Sequence, residues 1–324
     1  MRFPRLRALA GLAAAALVLA ACSSGGTADG GGGGGEPRRI GVSFYSNVIP
    51  LYVEMQEGMR KKAQELGVEL EFAYADNSAE NQSNQINTFV TKGVDLILAS
   101  PVDVSALTPA YQQARAAGIP VLSVGNKLAN DADEDAYIGP DLVDQSARTL
   151  ERVIEGMGGS GQLLLLTGPP QIAFVQEQKK GWQRVLAQHP EVQVVAEIVV
   201  PDMSTAAAVD AASAALSANP NVTGILGSID DISLGAVQAA QAAGFDLDKL
   251  FIAGWDGGPA ALEAIKAGTY DATLSQKPRT WGEIAIQTAV DWLDGKRPSG
   301  HRVNTPDIMI DQSNINSLTE ADIH

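Results

Sequence analysis

Two successive series of short apolar segments, each separated from the next by a helical pattern, constrain the fold of this chain more than any other feature. The first series occupies residues 40–46, 68–75, 94–102 and 119–125, and the second occupies 161–170, 192–200, 222–230, 250–258 and 271–276. These segments are apolar at consecutive positions, which is typical of parallel strands whose sheet is covered by helices on both faces. The sequence therefore predicts an α/β protein with two similar lobes.

The segments between the strands have the spacing of amphipathic helices. In 50–66, apolar residues recur every three to four positions, and Pro50 suits the first turn of a helix. Further helices are expected at 172–188, 204–218, 231–243, 259–267 and 281–294, and a last strand is expected near 302–310. No break in composition separates the two series, so we expect the chain to cross between the lobes more than once.

The N-terminus has the composition of an export signal. Three arginines within the first seven residues are followed by an apolar stretch that reaches Ala21 and is too short to span a bilayer. The sequence Leu19-Ala20-Ala21-Cys22 is similar to a bacterial lipobox, and Cys22 is the only cysteine in the chain. We expect residues 1–21 to be removed and Cys22 to carry a lipid. The alternative is an ordinary signal peptide with an incidental buried cysteine.

Residues 22–36 are expected to form a flexible tether, because eight of the thirteen residues 23–35 are glycines. The folded part would then be held at the outer face of the cell membrane by its lipid anchor only. Removal of the signal takes away three arginines and no acids, which changes the net charge from −15 to −18. Such an acidic chain without a basic cluster is a poor candidate for binding nucleic acid.

Motifs for metal, cofactor or covalent chemistry are missing from the sequence. The histidines His189, His301 and His324 are scattered, and neither a P-loop nor a G-x-S-x-G pattern occurs. The acidic run 131–135 lacks the spacing of a calcium loop and is interpreted as a solvated loop. A G-x-G-x-x-G match at 156–161 follows a helix and precedes a strand, the reverse of a dinucleotide site, so a helix end and a turn are expected there. We therefore predict no metal, no cofactor and no enzyme activity.

The expected carboxyl ends of the strands carry polar and aromatic residues, and parallel α/β sheets bind their ligands beyond these ends. Planar amide and carboxylate groups make paired hydrogen bonds to sugar hydroxyls, and aromatic rings cover the C–H surface of a sugar. The candidates with this chemistry are Tyr45, Tyr52, Asn126, Gln176, Trp255, Asp256 and Gln276. The alternatives are core packing for the aromatic rings and, for Asp256, a cap on the following helix.

Five stretches together resemble the ribose/galactose-type periplasmic sugar-binding proteins of ABC importers. They are IGVSFYSNVIPLYVEMQEGMRKKAQELGVEL, VTKGVDLILASPVDVSAL, ARAAGIPVLSVGNK, IAGWDGGPAALEAIKAGTYDATLSQKP and the helix containing WLDGK. The resemblance covers nearly all of 38–310 and implies two Rossmann-like lobes, joined by three crossovers, that close over a monosaccharide. It places one lobe at 37–139 plus 277–304 and the other at 140–276 plus 305–324.

The resemblance also implies ligand-binding positions. The residues after the first strand, the carboxylate of G-[FW]-D-G and the glutamine of D-A-T-x-x-Q fall on Tyr45, Tyr52, Asp256 and Gln276. Other positions depart from the family pattern: Asn126 and Gln176 replace arginines, Met203 replaces an aromatic residue, and Ile229 beside Asp230 replaces an asparagine. Amide side chains do not replace the charged fork of arginine, so we expect a less polar sugar, a deoxysugar or a sugar alcohol.

The expected function is that of a monomeric receptor that delivers its ligand to a membrane permease with its ATPase. The alternative is a ligand sensor of the same fold that reports to a membrane receptor or kinase. A LacI-type regulator is disfavoured by the export signal, the acidic charge and the lack of an N-terminal helix-turn-helix. A glycosidase would need two carboxylates about 5 to 10 Å apart, for which Asp230 and Asp256 are the candidates.

Overall fold

The computed structural model of the chain describes residues 37–170 and 172–324. The predicted export signal, the predicted lipid-bearing Cys22 and the glycine-rich tether lie outside these residues. Within them, none of the helices combines the length and the apolar character that crossing a membrane requires.

The first sheet contains six parallel strands. In chain order they are β1 (Arg39–Phe44), β2 (Glu69–Tyr74), β3 (Leu96–Ala99), β4 (Val121–Val124), β5 (Ala136–Ile138) and β11 (Arg302–Val303). In space their order is β11-β5-β4-β3-β1-β2. Strand β1 lies between β2 and β3, with Val42 opposite Phe72 on one side and Leu98 on the other.

The second sheet also contains six strands. They are β6 (Gly161–Thr167), β7 (Val192–Val199), β8 (Val222–Gly227), β9 (Phe251–Asp256), β10 (Ala272–Ser275) and β12 (Ile308–Asp311), in the spatial order β12-β10-β9-β8-β6-β7. Strand β12 pairs with β10 in the antiparallel direction, whereas the other pairs are parallel. The predicted α/β fold with two sheets is confirmed, and the expectation of purely parallel sheets is corrected at this one edge.

Helices cover both faces of each sheet. They are α1 (Pro50–Leu66), α2 (Ala79–Lys92), α3 (Thr108–Ala116), α4 (Leu142–Gly156), α5 (Ala173–Leu186), α6 (Thr205–Ala218), α7 (Asp230–Ala242), α8 (Pro259–Lys266), α9 (Pro278–Leu293) and α10 (Glu320–Ile323). On the first sheet, α1 and α9 share a core with one face, and α2 and α3 share a core with the other. On the second sheet, α6, α7 and α8 cover one face, and α4 and α5 cover the other. This two-sided burial explains why the strands are apolar at consecutive positions.

The chain passes between the two sheets three times. It leaves the first sheet after β5, returns after β10 into α9, and leaves again between β11 and β12. The single strand expected near 302–310 is therefore wrong, because its two halves belong to different sheets. Between them, Asp307 accepts two hydrogen bonds from the guanidinium of Arg148, at 2.9 and 2.6 Å, and one from Gln145 at 2.9 Å. These bonds fix the third crossing to α4.

The last described residues form a separate bridge between the two halves. Ile323 is buried in the core of the second sheet. The next residue, His324, accepts a hydrogen bond at its carbonyl from the backbone N–H of Thr280 in α9, at 2.8 Å. The Nδ1 atom of His324 lies 2.6 Å from the carboxylate of Glu54 in α1, and the two side chains are only 13% and 19% exposed. The bridge thus joins one core to the helices of the other sheet without passing through a crossing.

Candidate ligand-binding site

Unusual backbone conformations collect at the carboxyl edges of the sheets. Within the described part of the chain, the non-glycine residues with positive φ are Asp76, Asn77, Met203, Asp256 and Lys277. Each lies at, or within four residues after, the end of β2, β7, β9 or β10. Such conformations cost about 1–3 kcal/mol each and persist at sites where the surroundings impose them, often at ligand sites. The strain therefore marks the same edges that the sequence predicted for ligand binding.

At the edge of the first sheet, two tyrosine rings lie side by side. Tyr45 follows β1 and Tyr52 lies in the first turn of α1, with the ring centroids 6.2 Å apart and the planes 12° from parallel. The hydroxyl of Tyr52 shares a hydrogen bond of 2.9 Å with the hydroxyl of Ser100, directly after β3. Burial raises the pKa of Tyr52 to about 12, so this phenol stays protonated. Tyr45 is partly exposed and offers an aromatic face.

The end of β4 completes this edge. Gly125 has a φ of 84°, and a Cβ there would lie 3.2 Å from the hydroxyl oxygen of Ser100 and 3.6 Å from the Tyr52 ring. The carbonyl of Gly125 accepts a hydrogen bond from the hydroxyl of Tyr137 at 3.0 Å. Asn126 follows, partly exposed, and its amide donates to the carbonyl of Pro101 at 3.3 Å. The structure thus brings Tyr45, Tyr52 and Asn126 to one edge, as the sequence predicted.

At the edge of the second sheet, the ends of β9 and β10 meet. The Nε2 atom of Gln276 donates a hydrogen bond of 3.2 Å to Oδ1 of Asp256. Trp255 is 5% exposed, and its ring packs against that of Phe174 with the centroids 6.1 Å apart. The indole N–H of Trp255 is buried and has no partner among the described residues. The Trp255 ring therefore contributes mainly to core packing next to the Asp256 carboxylate.

Asp256 is the strained residue of this group. Its φ is 125°, a region that favours glycine, and it precedes Gly257 at φ 76°. A Cβ at Gly257 would lie 2.5 Å from Cβ of Ser275, so the turn after β9 needs a glycine there. Burial and the negative charges of Asp230 and Asp231 raise the pKa of Asp256 well above its ordinary value. The bond from Gln276 opposes that rise and holds the carboxyl group in place.

Asp230 was a candidate for ligand contact, but in the structure its carboxylate accepts hydrogen bonds from protein groups. Its two oxygens accept bonds from the N–H groups of Gly257 and Gly258, at 2.9 and 3.1 Å, and from the hydroxyls of Tyr270 and Thr273, at 2.8 and 2.7 Å. Burial raises the pKa of Asp230 to about 6 although these hydrogen bonds lower it. The geometry gives Asp230 the role of fixing the turn that follows Asp256.

The three remaining candidates contact other groups of the protein. Gln176 is exposed on α5, and its amide donates to the carbonyl of Pro170 at 2.9 Å. Met203 packs its sulfur against Gly168, where a Cβ would lie 2.7 Å from Sδ. Ile229 precedes α7 and packs partly buried against the core of the second sheet. All three belong to the second half, and none of them touches Asp256 through a hydrogen bond.

Two side chains outside the set of candidates support the site. Phe174 carries the contact to Trp255, and Ser100 anchors the hydroxyl of Tyr52. Ser100 directly follows an apolar strand, which was a usable signal, whereas Phe174 lies in an ordinary amphipathic helix and has none. The hydrogen bonds and ring contacts described for the candidates join residues within one edge, and among the described residues none joins the two edges.

The acidic run 131–135 differs from the solvated loop that was expected. Glu134 is 3% exposed and accepts hydrogen bonds from the hydroxyl of Ser123, from the N–H of Leu128 at 3.0 Å and from Nε2 of His301 at 3.0 Å. Asp131 remains exposed and pairs with Lys127. This cluster of two carboxylates and a histidine is satisfied by protein groups. The glycines at 156–161 do form a helix end and a turn, as predicted.

Comparisons with known proteins agree with this architecture. The family model described as a periplasmic binding protein domain matches residues 40–297. The ribose import binding protein of Bacillus subtilis (strain 168) is 26% identical over 258 residues, which cover 80% of this chain and 82% of that protein. A xylitol-binding protein of Mycolicibacterium smegmatis is 30% identical over 241 residues, which cover 74% and 68%. The crystal structure of a periplasmic ribose ABC transporter from Conexibacter woesei DSM 14684 has a TM-score of 0.83 and 26% identity, with coverages of 89% and 96%.

The fold and the two polar, aromatic edges therefore define a solute-binding protein of the extracytoplasmic kind. The chain belongs to the periplasmic binding protein family, within the type I proteins that bind sugars for ABC importers. The resemblance predicted from the sequence is confirmed.

Proposed function

We propose that this protein captures a small sugar or sugar-like polyol between the carboxyl edges of its two sheets and presents it to a membrane permease for import. The observation that carries this proposal is the pair of edges, at which aromatic and hydrogen-bonding side chains meet. Tyr45 offers an aromatic face beside Tyr52 on the first sheet, and Asp256 and Gln276 offer hydrogen-bonding groups on the second, with the buried Trp255 next to them. The printed ligands of two relatives, ribose and xylitol, are small and rich in hydroxyls.

We propose that the two lobes are 37–139 plus 277–304 and 140–276 plus 305–324, and that they close on the ligand. The three crossings of the chain between the sheets support this division. In the structure the two edges are not bonded to each other, so a ligand that contacts both would favour a closed arrangement by its higher affinity for it. Asn126, Gln176, Met203 and Ile229 would then line the remainder of the cleft.

Binding and closure suffice for this role, so no chemical step on the ligand is proposed. The arrangement of Asp230 supports this point. A glycosidase needs a second carboxylate that reaches the substrate, and both oxygens of Asp230 are occupied by protein donors. The partners proposed are a small-molecule ligand and an ABC permease with its ATPase, and the protein would act as a monomer.

The proposal is tested by a thermal-shift screen against monosaccharides, deoxysugars and polyols. A ligand at about 100 times its dissociation constant should stabilise the protein by about 2.7 kcal/mol. The best ligand should then reduce the radius of gyration in small-angle scattering, because closure makes the molecule more compact. A screen without any stabilising polyol would overturn the function, and a tight ligand without compaction would overturn the closure.

The lipid anchor is a separate proposal that rests on the sequence around Cys22. Replacing Cys22 by serine is expected to move the protein from the membrane fraction to the soluble extracytoplasmic fraction, because a serine hydroxyl cannot accept the thioether-linked lipid. Fractionation followed by immunoblotting measures the change. The matched control is Ser24→Ala in the same tether, which should stay with the membrane. Membrane association of the Cys22→Ser protein would contradict the anchor.

A further inference from the structure

The residues proposed for the candidate site include a negative charge and no positive charge. Of the residues proposed to line the cleft, Asp256 is the one that carries a charge, and the others are aromatic, amide or apolar. Asp230 lies next to Asp256, because its carboxylate accepts a hydrogen bond of 2.9 Å from the N–H of the following residue, Gly257. Burial and the negative charges of Asp230 and Asp231 raise the pKa of Asp256. Asp231 is exposed in the first turn of α7 and forms no ion pair among the described residues.

The lysines that follow Asn126 and Gln276 in the chain interact with acidic residues other than Asp256. Lys127 follows Asn126, and its Nζ atom lies 2.7 Å from Asp131. Lys277 follows Gln276, and its positive charge helps to lower the pKa of Asp322 in α10. The groups that act on the Asp256 carboxyl are thus two carboxylates and the amide of Gln276. A carboxylate beside two like charges lacks the cation that would balance it.

One oxygen of the Asp256 carboxyl group is without a hydrogen-bond partner among the described residues. Oδ1 accepts the hydrogen bond from Gln276, and in the described part of the chain Oδ2 receives none. Asp230 cannot serve a ligand in the same way because its oxygens are occupied, but its charge remains in the site. A ligand that brings a positive charge would form a charge-assisted hydrogen bond to Oδ2, which is stronger than a bond from a neutral hydroxyl.

We propose that the site prefers a polyol that carries a protonated amino group, with the ammonium placed on Oδ2 of Asp256 and the hydroxyls on the amides and aromatic faces around it. This inference rests on the proposed function and narrows its ligand class. The same charge distribution disfavours sugar acids and sugar phosphates, whose negative groups would meet the Asp256 carboxyl group without a cationic side chain among the residues proposed for the cleft.

Calorimetric titration of the whole mature protein with matched ligand pairs tests the proposal. The pairs are D-glucose with D-glucosamine, D-galactose with D-galactosamine, and myo-inositol with an amino-inositol, so that each pair differs by one hydroxyl and one ammonium. In at least one pair the amino compound is expected to bind about tenfold more tightly or better. Its advantage should shrink as salt is added, because salt screens the attraction of charges.

The variant Asp256→Asn separates charge from shape. Asparagine has nearly the same shape as aspartate, so the substitution adds little further strain at φ 125°. It also keeps one oxygen acceptor, so the neutral ligands should lose only a few-fold in affinity. The preference for the amino compound should fall to about one. The matched control is Glu155→Gln, which removes a charge from an exposed position on α4 and should leave the preference intact.

Three results overturn different statements. If neutral compounds bind and every amino compound binds no better than its partner, the amino preference is wrong and the proposed function stands. If Asp256→Asn keeps the preference, Asp256 is not the group that recognises the ammonium, which also overturns the inference. Binding of neither kind of polyol would overturn the proposed function itself, and the inference with it.

Discussion

Replacing Asp256 by alanine is expected to weaken ligand binding ten- to a hundredfold. The carboxylate ends β9, is held by Gln276 and is the charged hydrogen-bonding group among the residues proposed for the cleft. Loss of such a group costs about 1.5–3 kcal/mol of binding free energy. Isothermal titration with the best polyol from the screen measures the change. The exposed Glu155→Ala substitution serves as the control and should bind as the unmodified protein does.

A second substitution separates binding from backbone strain at this position. Because φ is 125° at Asp256, glycine suits the backbone better than alanine does. Asp256→Gly should therefore unfold at a higher denaturant concentration than Asp256→Ala, with a difference of about 1 kcal/mol. Both variants should lose affinity to a similar extent. Full affinity in either of them would remove Asp256 from the site.

Replacing Asp230 by alanine is expected to cost about 3–5 kcal/mol of the free energy of unfolding. The substitution removes the acceptor of the Gly258 N–H and of the hydroxyls of Tyr270 and Thr273, and it leaves the Gly257 N–H with only its 3.1 Å bond to the Thr273 hydroxyl. Each buried donor without a partner costs about 1–3 kcal/mol, and partial relaxation keeps the total below the sum. Urea unfolding followed by circular dichroism measures the loss. Asp231→Ala, one residue away and exposed, should change stability by less than about 1 kcal/mol.

If Asp230→Ala does not fold, Asp230→Asn and pH give a second measurement. The pKa of Asp230 is raised to about 6 in the folded protein, above the ordinary value of 3.8. A raised carboxyl pKa contributes stability below the ordinary value, and that contribution is lost as pH rises through the folded value. The stability advantage over Asp230→Asn should therefore fall by about 2 kcal/mol between pH 4 and pH 7. An advantage that is constant, or that rises with pH, would contradict this assignment.

The order of strands and helices was predictable because strands that are buried on both faces contain consecutive apolar residues. Strands such as β6 and β9 contain runs of consecutive apolar residues, and the glycines after the helices mark where the strands begin. Strand β5 was missed because three residues are too few to show a pattern. The division of 302–310 between two sheets was not predictable, because both partners, β5 and β10, lie far away in the chain.

The sequence indicated which residues belong to the candidate site, but it did not indicate which groups each of them contacts. Asp230 and Asp256 both follow apolar strands, so the sequence presents them as equivalent acids. The structure separates them through Tyr270 and Thr273, which come from a later part of the chain and supply hydroxyls to one acid only. Glu134 is a similar case, since His301, 167 residues away, converts part of an acidic loop into a buried pair. Pairings between distant residues decide such roles, and one sequence does not display them.

The contact of His324 with Glu54 and Thr280 has a practical consequence for anyone who builds a reagent from this protein. A purification tag or a fluorescent domain joined after His324 would begin beside α1 and α9, next to the second crossing between the lobes. It would crowd the contact between the His324 imidazole and the Glu54 carboxylate, and it would thereby disturb the closure proposed for the two lobes. Affinities measured on such a fusion would then report the tag as well as the ligand, so a label on the exposed residue Glu155 is the safer design for a sensor.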